Sequence, residues 1–144
     1  MKLLFFASLI FFCAFTYTGP ETELIDIINS ERAAHELAPI EKNWELARLA
    51  RYRTEEMRKL GYIGYNSPAY GTPRQMLSRF DIPANTIGVN VAKGQESAEC
   101  VVNAWFTSPG HKKLLLDGNF TQAGVGLAYD ENDFPYWAII LTSP

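Results

Sequence analysis

At 144 residues, 47% of them hydrophobic and 20% charged, the chain is long enough for one domain with its own core and too short for two of ordinary size. Thirteen basic against sixteen acidic side chains leave a formal charge of -3, so nothing favours nucleic acid or an anionic membrane surface as a partner. The hydrophobic share also excludes an intrinsically disordered chain.

The N-terminus, "MKLLFFASLIFFCAF", sets one lysine before an apolar run from Leu3 to Phe15 broken only by Ser8, and the small or polar "TYTGP" follows. A run of 13 residues falls short of the roughly 20 needed to span a bilayer. Residues 1–18 therefore read as a signal peptide and 19–144 as the mature domain, secreted or held in the cell envelope without an integral membrane span. The bulky Phe11 and Phe12 ahead of Cys13 argue against a lipid-modified cysteine. Loss of the leader leaves Cys100 as the only thiol, so no internal disulfide is possible and packing has to supply stability. "ECVVNAW" sets Cys100 among apolar helical residues, where a buried structural thiol is expected.

From Glu21 the apolar residues Leu24, Ile27, Ile28, Ala34 and Leu37 recur at helical steps, with Thr22 as the expected N-cap and Pro39 as the stop. A second helix starts behind Asn43, carries Leu46, Leu49, Ala50, Met57 and Leu60 on one side, and ends at Gly61. Its other side, Arg48, Arg51, Glu55, Glu56, Arg58 and Lys59, reads as a solvated face. "GYIGYNSPAYGTP" is loop chemistry, but Tyr62, Tyr65 and Tyr70 make it too aromatic for a plain linker; it should pack on the domain or line a cleft. "PRQMLSRF" predicts a short helix burying Met76, Leu77 and Phe80, and "TIGVNVAKG" a short strand. A third long helix, "ESAECVVNAW", buries Ala98, Val101, Val102 and Trp105 and breaks at Pro109. "AGVGLAY" and "YWAIILT", joined by the turn "DENDFP", predict an antiparallel hairpin. Gly124 and Gly126 on one face imply close approach of something above the sheet. Trp44, Trp105 and Trp137 read as core anchors, with Trp105 placed to form a cleft wall as well. These elements predict an α+β domain with helices packed over a small antiparallel sheet.

Chemistry has few places to sit. In "TSPGH" Ser108 suits an N-cap and Pro109 the first helical position, which puts His111 in the first turn of a short helix, beside free backbone N–H groups. That place suits an electrophile, a ligand or a structural hydrogen bond. The other histidine, His35, lies at a helix end, and no Ser-His-Asp arrangement, phosphate loop or CxxC motif is present. Zinc sites use three or four His, Cys or carboxylate ligands, so neither a metal nor another cofactor is expected. "NFT" at Asn119 has the form of a glycosylation sequon.

In order along the chain, "LIDIINSERAAHELAPI", "NWELARLARYRTEEM", "YNSPAYGTP", "GVNVAKG", "CVVNAWFTSPGHKKLLL", "NFTQAGVGLAY" and the final "YW" resemble the bacterial branch of the CAP superfamily. These are SCP-like proteins related to cysteine-rich secretory proteins, antigen 5 and plant pathogenesis-related proteins. The resemblance covers almost the whole of residues 19–144. It implies a three-layer α-β-α sandwich and a central cleft in which the family often carries two histidines and one or two acids, able in some members to hold a divalent metal. Carried over, His111 matches the second histidine, Tyr65 stands where the first would be, and Val89 replaces the glutamate of a "GENIA"-type segment. The second acidic position falls at Ser108. One histidine cannot hold zinc, and Val89 offers neither a ligand nor a general base.

An intact scaffold around an altered polar site predicts a non-enzymatic binding module, its cleft lined by Tyr62, Tyr65, Tyr70, Asn90, Trp105, Ser108 and His111. Such a cleft suits a lipid, a peptide or a cell-wall fragment. Two alternatives differ in class. One is a hydrolase of peptides or cell-wall material that uses His111 with Ser108 or Tyr65. The other is an envelope or spore-surface assembly protein joined through Cys100 or the tyrosine-rich loop.

Overall fold

The computed structural model describes residues 18–143, so the leader expected at residues 1–18 lies outside the described residues apart from Thr18, and Cys13 lies outside them too. The elements run α1 (Pro20–Ala34), β1 (Glu41–Lys42), α2 (Trp44–Leu60), α3 (Pro73–Arg79), β2 (Thr86–Lys93), α4 (Ala98–Thr107), α5 (Pro109–Leu115), β3 (Gln122–Tyr129) and β4 (Pro135–Ser143).

α1 starts earlier than the periodicity suggests. Gly19 takes the N-cap position instead of Thr22 because Pro20, with φ preset and no N–H to leave unpaired, is suited to the first helical position. The helix stops before Pro39, since Glu36 turns into the left-handed region at φ 58. Ala34 is therefore exposed, and the buried stripe is Leu24, Ile25, Ile28 and Arg32.

α2 begins and ends as the sequence predicts. The Asn43 side-chain oxygen accepts from the backbone N–H groups of Glu45 and Leu46 at 2.9 and 3.1 Å, and Gly61 closes the helix at φ 66. Asn43→Ala is expected to destabilise the domain by about 1 kcal/mol, read from the midpoint of urea unfolding; an unchanged midpoint would show the cap to be redundant. Leu60 falls off the buried stripe and is exposed.

The sheet order is β1-β3-β4-β2. β4 pairs antiparallel with β3 and with β2, as expected of the hairpin and the preceding strand. The sheet is mixed, not purely antiparallel: β1, two residues too short to show a period, runs parallel to β3 with Glu41 opposite Gln122. Along β4 the side chains alternate between two cores. Trp137, Ile139 and Leu141 join α1, α4 and α5 on one face, while Tyr136, Ala138 and Ile140 join α2 and α3 on the other. This is the α-β-α sandwich. Gly124 and Gly126 let α2 lie directly on β3: a Cβ on either would fall within the helix backbone, at Leu46–Ala47 and at Ala50–Arg51.

Two expectations fail for one geometric reason, the phase of a helix. Cys100 is exposed, because α4 buries Ala98, Val101, Val102 and Trp105 and turns position 100 outward. Trp44 is 70% exposed at the first turn of α2, outside its buried stripe, and lies under the Arg48 guanidinium at 5.4 Å. Trp105 and Trp137 are core residues as predicted. Conversely, Arg32 is buried where an aliphatic would be expected. Its guanidinium donates to the carbonyls of Ala38, Leu115, Asp117 and Phe120 at 2.9 to 3.3 Å, pinning the end of α5 to α1. Burial holds its pKa below the usual arginine value, and the charge of Asp117 opposes that shift.

Candidate functional site

α4 hands over to α5 at Ser108, which sits in extended backbone, and Pro109 occupies the first position of α5. The Ser108 hydroxyl makes no cap bond, in contrast to the sequence expectation; its carbonyl accepts from Lys112 N at 2.9 Å. His111 is half-buried in the first turn. Its Nε2 lies 3.0 Å from the Tyr65 hydroxyl, and its carbonyl accepts from the Asn90 side chain on β2 at 3.3 Å. Tyr65, Asn90 and His111 thus come together from a loop, a strand and a helix. Val89, next to Asn90, lines an open cavity of about 360 Å³ with Tyr65, Thr72, Pro73, Arg74 and Ile87.

The remaining predicted cleft residues do other work. Trp105 is 1% exposed, and its Nε1 donates to the Val91 carbonyl at 3.0 Å, so it is core and not a ligand-facing wall. Tyr70 packs edge-on between Tyr52 and Phe80, both at 5.2 Å, and lines a separate groove with Arg74 and Arg79. Tyr62 is turned toward Arg53, whose Nη1 donates to its hydroxyl at 2.8 Å. Burial raises the Tyr62 phenol above its ordinary pKa, and Arg53 pulls against that shift. His35 is exposed at the end of α1 with Nδ1 2.9 Å from the Glu31 carbonyl.

Beneath the site lies a cluster that the sequence reading passes over. Arg53 is only 3% exposed on α2 and forms an ion pair with Glu56; its Nη2 donates to the carbonyls of Gly64 and Asn66 at 2.8 and 2.9 Å. Those two carbonyls flank Tyr65. Glu56 is turned inward and not toward solvent as its face predicts: its Oε1 accepts from the Ser67 hydroxyl at 2.8 Å and from Ala69 N at 3.3 Å. The signal was available in the spacing, since Arg53 falls on the same stripe as Leu46, Leu49, Ala50 and Met57.

This arrangement engages one histidine nitrogen with a phenol and places an apolar wall at Val89. Among the described residues no group of three or more His, Cys, Asp or Glu converges. The donor set therefore does not fit the divalent metal that the resemblance allows for some members.

Residues 25–141 match the family model described as cysteine-rich secretory protein family, CAP. The chain belongs to the CAP family. Within it, this CAP domain is 40% identical over 106 residues to the uncharacterized protein YkwD of Bacillus subtilis (strain 168), which covers 74% of this chain and 41% of YkwD. It thus spans less than half of that relative. An extracellular protein containing an SCP domain from Bacillus anthracis str. Ames superposes with a TM-score of 0.79 at 25% identity, covering 88% of this chain and 41% of that one. An outer surface protein from Borrelia burgdorferi superposes with a TM-score of 0.79 at 22% identity, over 85% of this chain and 90% of that one, which speaks to the CAP fold alone. No helix among the described residues is long and apolar enough to cross a membrane.

Proposed function

We propose that this CAP domain acts outside the cell as a binding module that holds a ligand in the Tyr65–Val89–His111 cleft without turning it over. The observation that carries the proposal is the pairing of His111 Nε2 with the Tyr65 hydroxyl beside an apolar Val89. A general base needs a free, oriented nitrogen, and an orienting carboxylate is what an imidazole in a hydrolytic site uses. Here Nε2 is paired with a phenol, and among the described residues no carboxylate bonds to the ring to orient it. The cleft instead offers what binding sites use: an apolar wall of Ile87, Val89 and Pro73, an amphipathic ring at Tyr65 and a cation at Arg74. The extracellular setting is supported by the description of the Bacillus anthracis protein, and by the leader predicted at residues 1–18.

The test is co-sedimentation of the mature domain with purified cell-envelope material, scoring bound protein and released soluble fragments in the same tube. Binding without release is expected, weakened about tenfold by Tyr65→Ala or His111→Ala. Release of fragments that disappears in His111→Ala would overturn the proposal in favour of a hydrolase.

A further inference from the structure

β2 is an edge strand, and one stretch of its edge is open. Gly94 N donates to the Pro135 carbonyl at 2.8 Å, extending the register in which Lys93 faces Tyr136. Opposed residues of an antiparallel ladder alternate between hydrogen-bonded and non-bonded pairs. Gly88, Asn90 and Ala92 therefore exchange bonds with β4, while Ile87, Val89 and Val91 turn their N–H and C=O groups away from the sheet. The Val91 carbonyl fits this parity, since it accepts from the indole of Trp105. Beyond the ladder, the backbone of Ile87 and Val89 has no hydrogen-bond partner among the described residues.

The open stretch meets the cavity already described, whose lining includes Ile87 and Val89. The Trp105 indole closes one end. Tyr65, part of the cavity lining, is bonded to His111 in the first turn of α5. Arg74 stands at the mouth: its guanidinium donates to the carbonyls of Ala84 and Asn85 at 3.3 and 3.0 Å, both neutral, and among the described residues no carboxylate pairs with it. Exposed edges are usually blunted or covered, because unpaired donors and acceptors at two-residue spacing are a template for another strand. This edge combines that template with an apolar hollow and an uncompensated positive charge.

We infer that the ligand is an extended peptide, added as a further strand against Ile87 and Val89, with an aliphatic side chain in the cavity and an acidic side chain toward Arg74. This rests on the reading of the cleft as a binding site. The main chain would supply affinity and the cavity with Arg74 the selectivity, the usual division in recognition by strand addition.

The experiment selects ligands for the purified domain from a random heptapeptide library displayed on phage, then measures the best synthetic peptide by titration calorimetry. Selected sequences are expected to share an acidic residue next to an aliphatic one. N-methylation of the peptide at every second residue is expected to weaken binding at least about tenfold, with little effect at the residues between. Slowed amide exchange at Ile87 and Val89 on binding is the matching signal on the protein. Val89→Pro removes an outward N–H without breaking the ladder, a substitution that edge strands accept, and is expected to weaken binding to the same degree. If that variant does not fold, the N-methyl scan decides. A flat scan, or unchanged exchange at Ile87 and Val89, would overturn strand addition. Failure to select any peptide, with envelope binding still dependent on Tyr65 and His111, would overturn the peptide and leave the binding module standing. Loss of both kinds of binding would overturn both.

Discussion

Gly124→Ala is expected to destabilise the domain by about 3–4 kcal/mol, at the upper end of what overpacking costs. The added methyl would fall within the α2 backbone at Leu46–Ala47, and a backbone cannot rotate away as a side chain can. Either α2 lifts off the sheet, opening the core of Leu46, Leu49 and Ala50, or β3 bends from β4. Gly110 provides the control. It lies in α5 with open space around it, so Gly110→Ala is expected to be neutral or to stabilise by up to about 1 kcal/mol through helix propensity. Urea unfolding of both variants beside the parent checks the contrast. A similar stability for the two would mean that the contact between α2 and β3 is looser than the structure shows.

Arg53→Ala is expected to cost about 3–5 kcal/mol, the range seen when one partner of a buried ion pair is removed. The loss strands Glu56, which is only 10% exposed, and frees the carbonyls of Gly64 and Asn66 on either side of Tyr65. Stability and cleft binding should fall together, with the loop at 61–71 becoming open to limited proteolysis. Arg53→Met combined with Glu56→Gln separates the two effects. Removing both charges should recover part of the stability, while the loop, still lacking its guanidinium fork, should stay protease-sensitive. A resistant loop in the double variant would show that Tyr65 is positioned by something other than Arg53.

The elements whose pattern depends on their own residues were legible. Asn43 and Gly61 bound α2, the spacing of Ala98, Val101, Val102 and Trp105 names the inner face of α4, and Gly124 and Gly126 announce a close approach above β3, which α2 makes. The proximity of Tyr65 to His111, 46 positions apart, came only through the likeness to CAP proteins, since no local pattern encodes it. What escaped were groups whose role is decided by a distant partner. Arginine on a helix is ordinarily a snorkelling surface residue, and only the loop carbonyls beside Arg53, or those of Leu115, Asp117 and Phe120 beside Arg32, make burial favourable. Cys100 and Trp44 depart in the opposite sense: their apolar character points to burial, whereas the helix turns both outward.

The position of β4 bears on how the chain reaches its native state. It is an interior strand paired with both β3 and β2, and it contributes Trp137, Ile139 and Leu141 to one core and Tyr136, Ala138 and Ile140 to the other. It also follows every one of its neighbours in sequence. A nascent polypeptide emerging from its N-terminus can form α1 or α2 locally but cannot close either core until residues 135–143 arrive. Folding by this domain is then a late event dominated by non-local pairing, and up to that moment the chain remains loose enough to be threaded through a narrow channel.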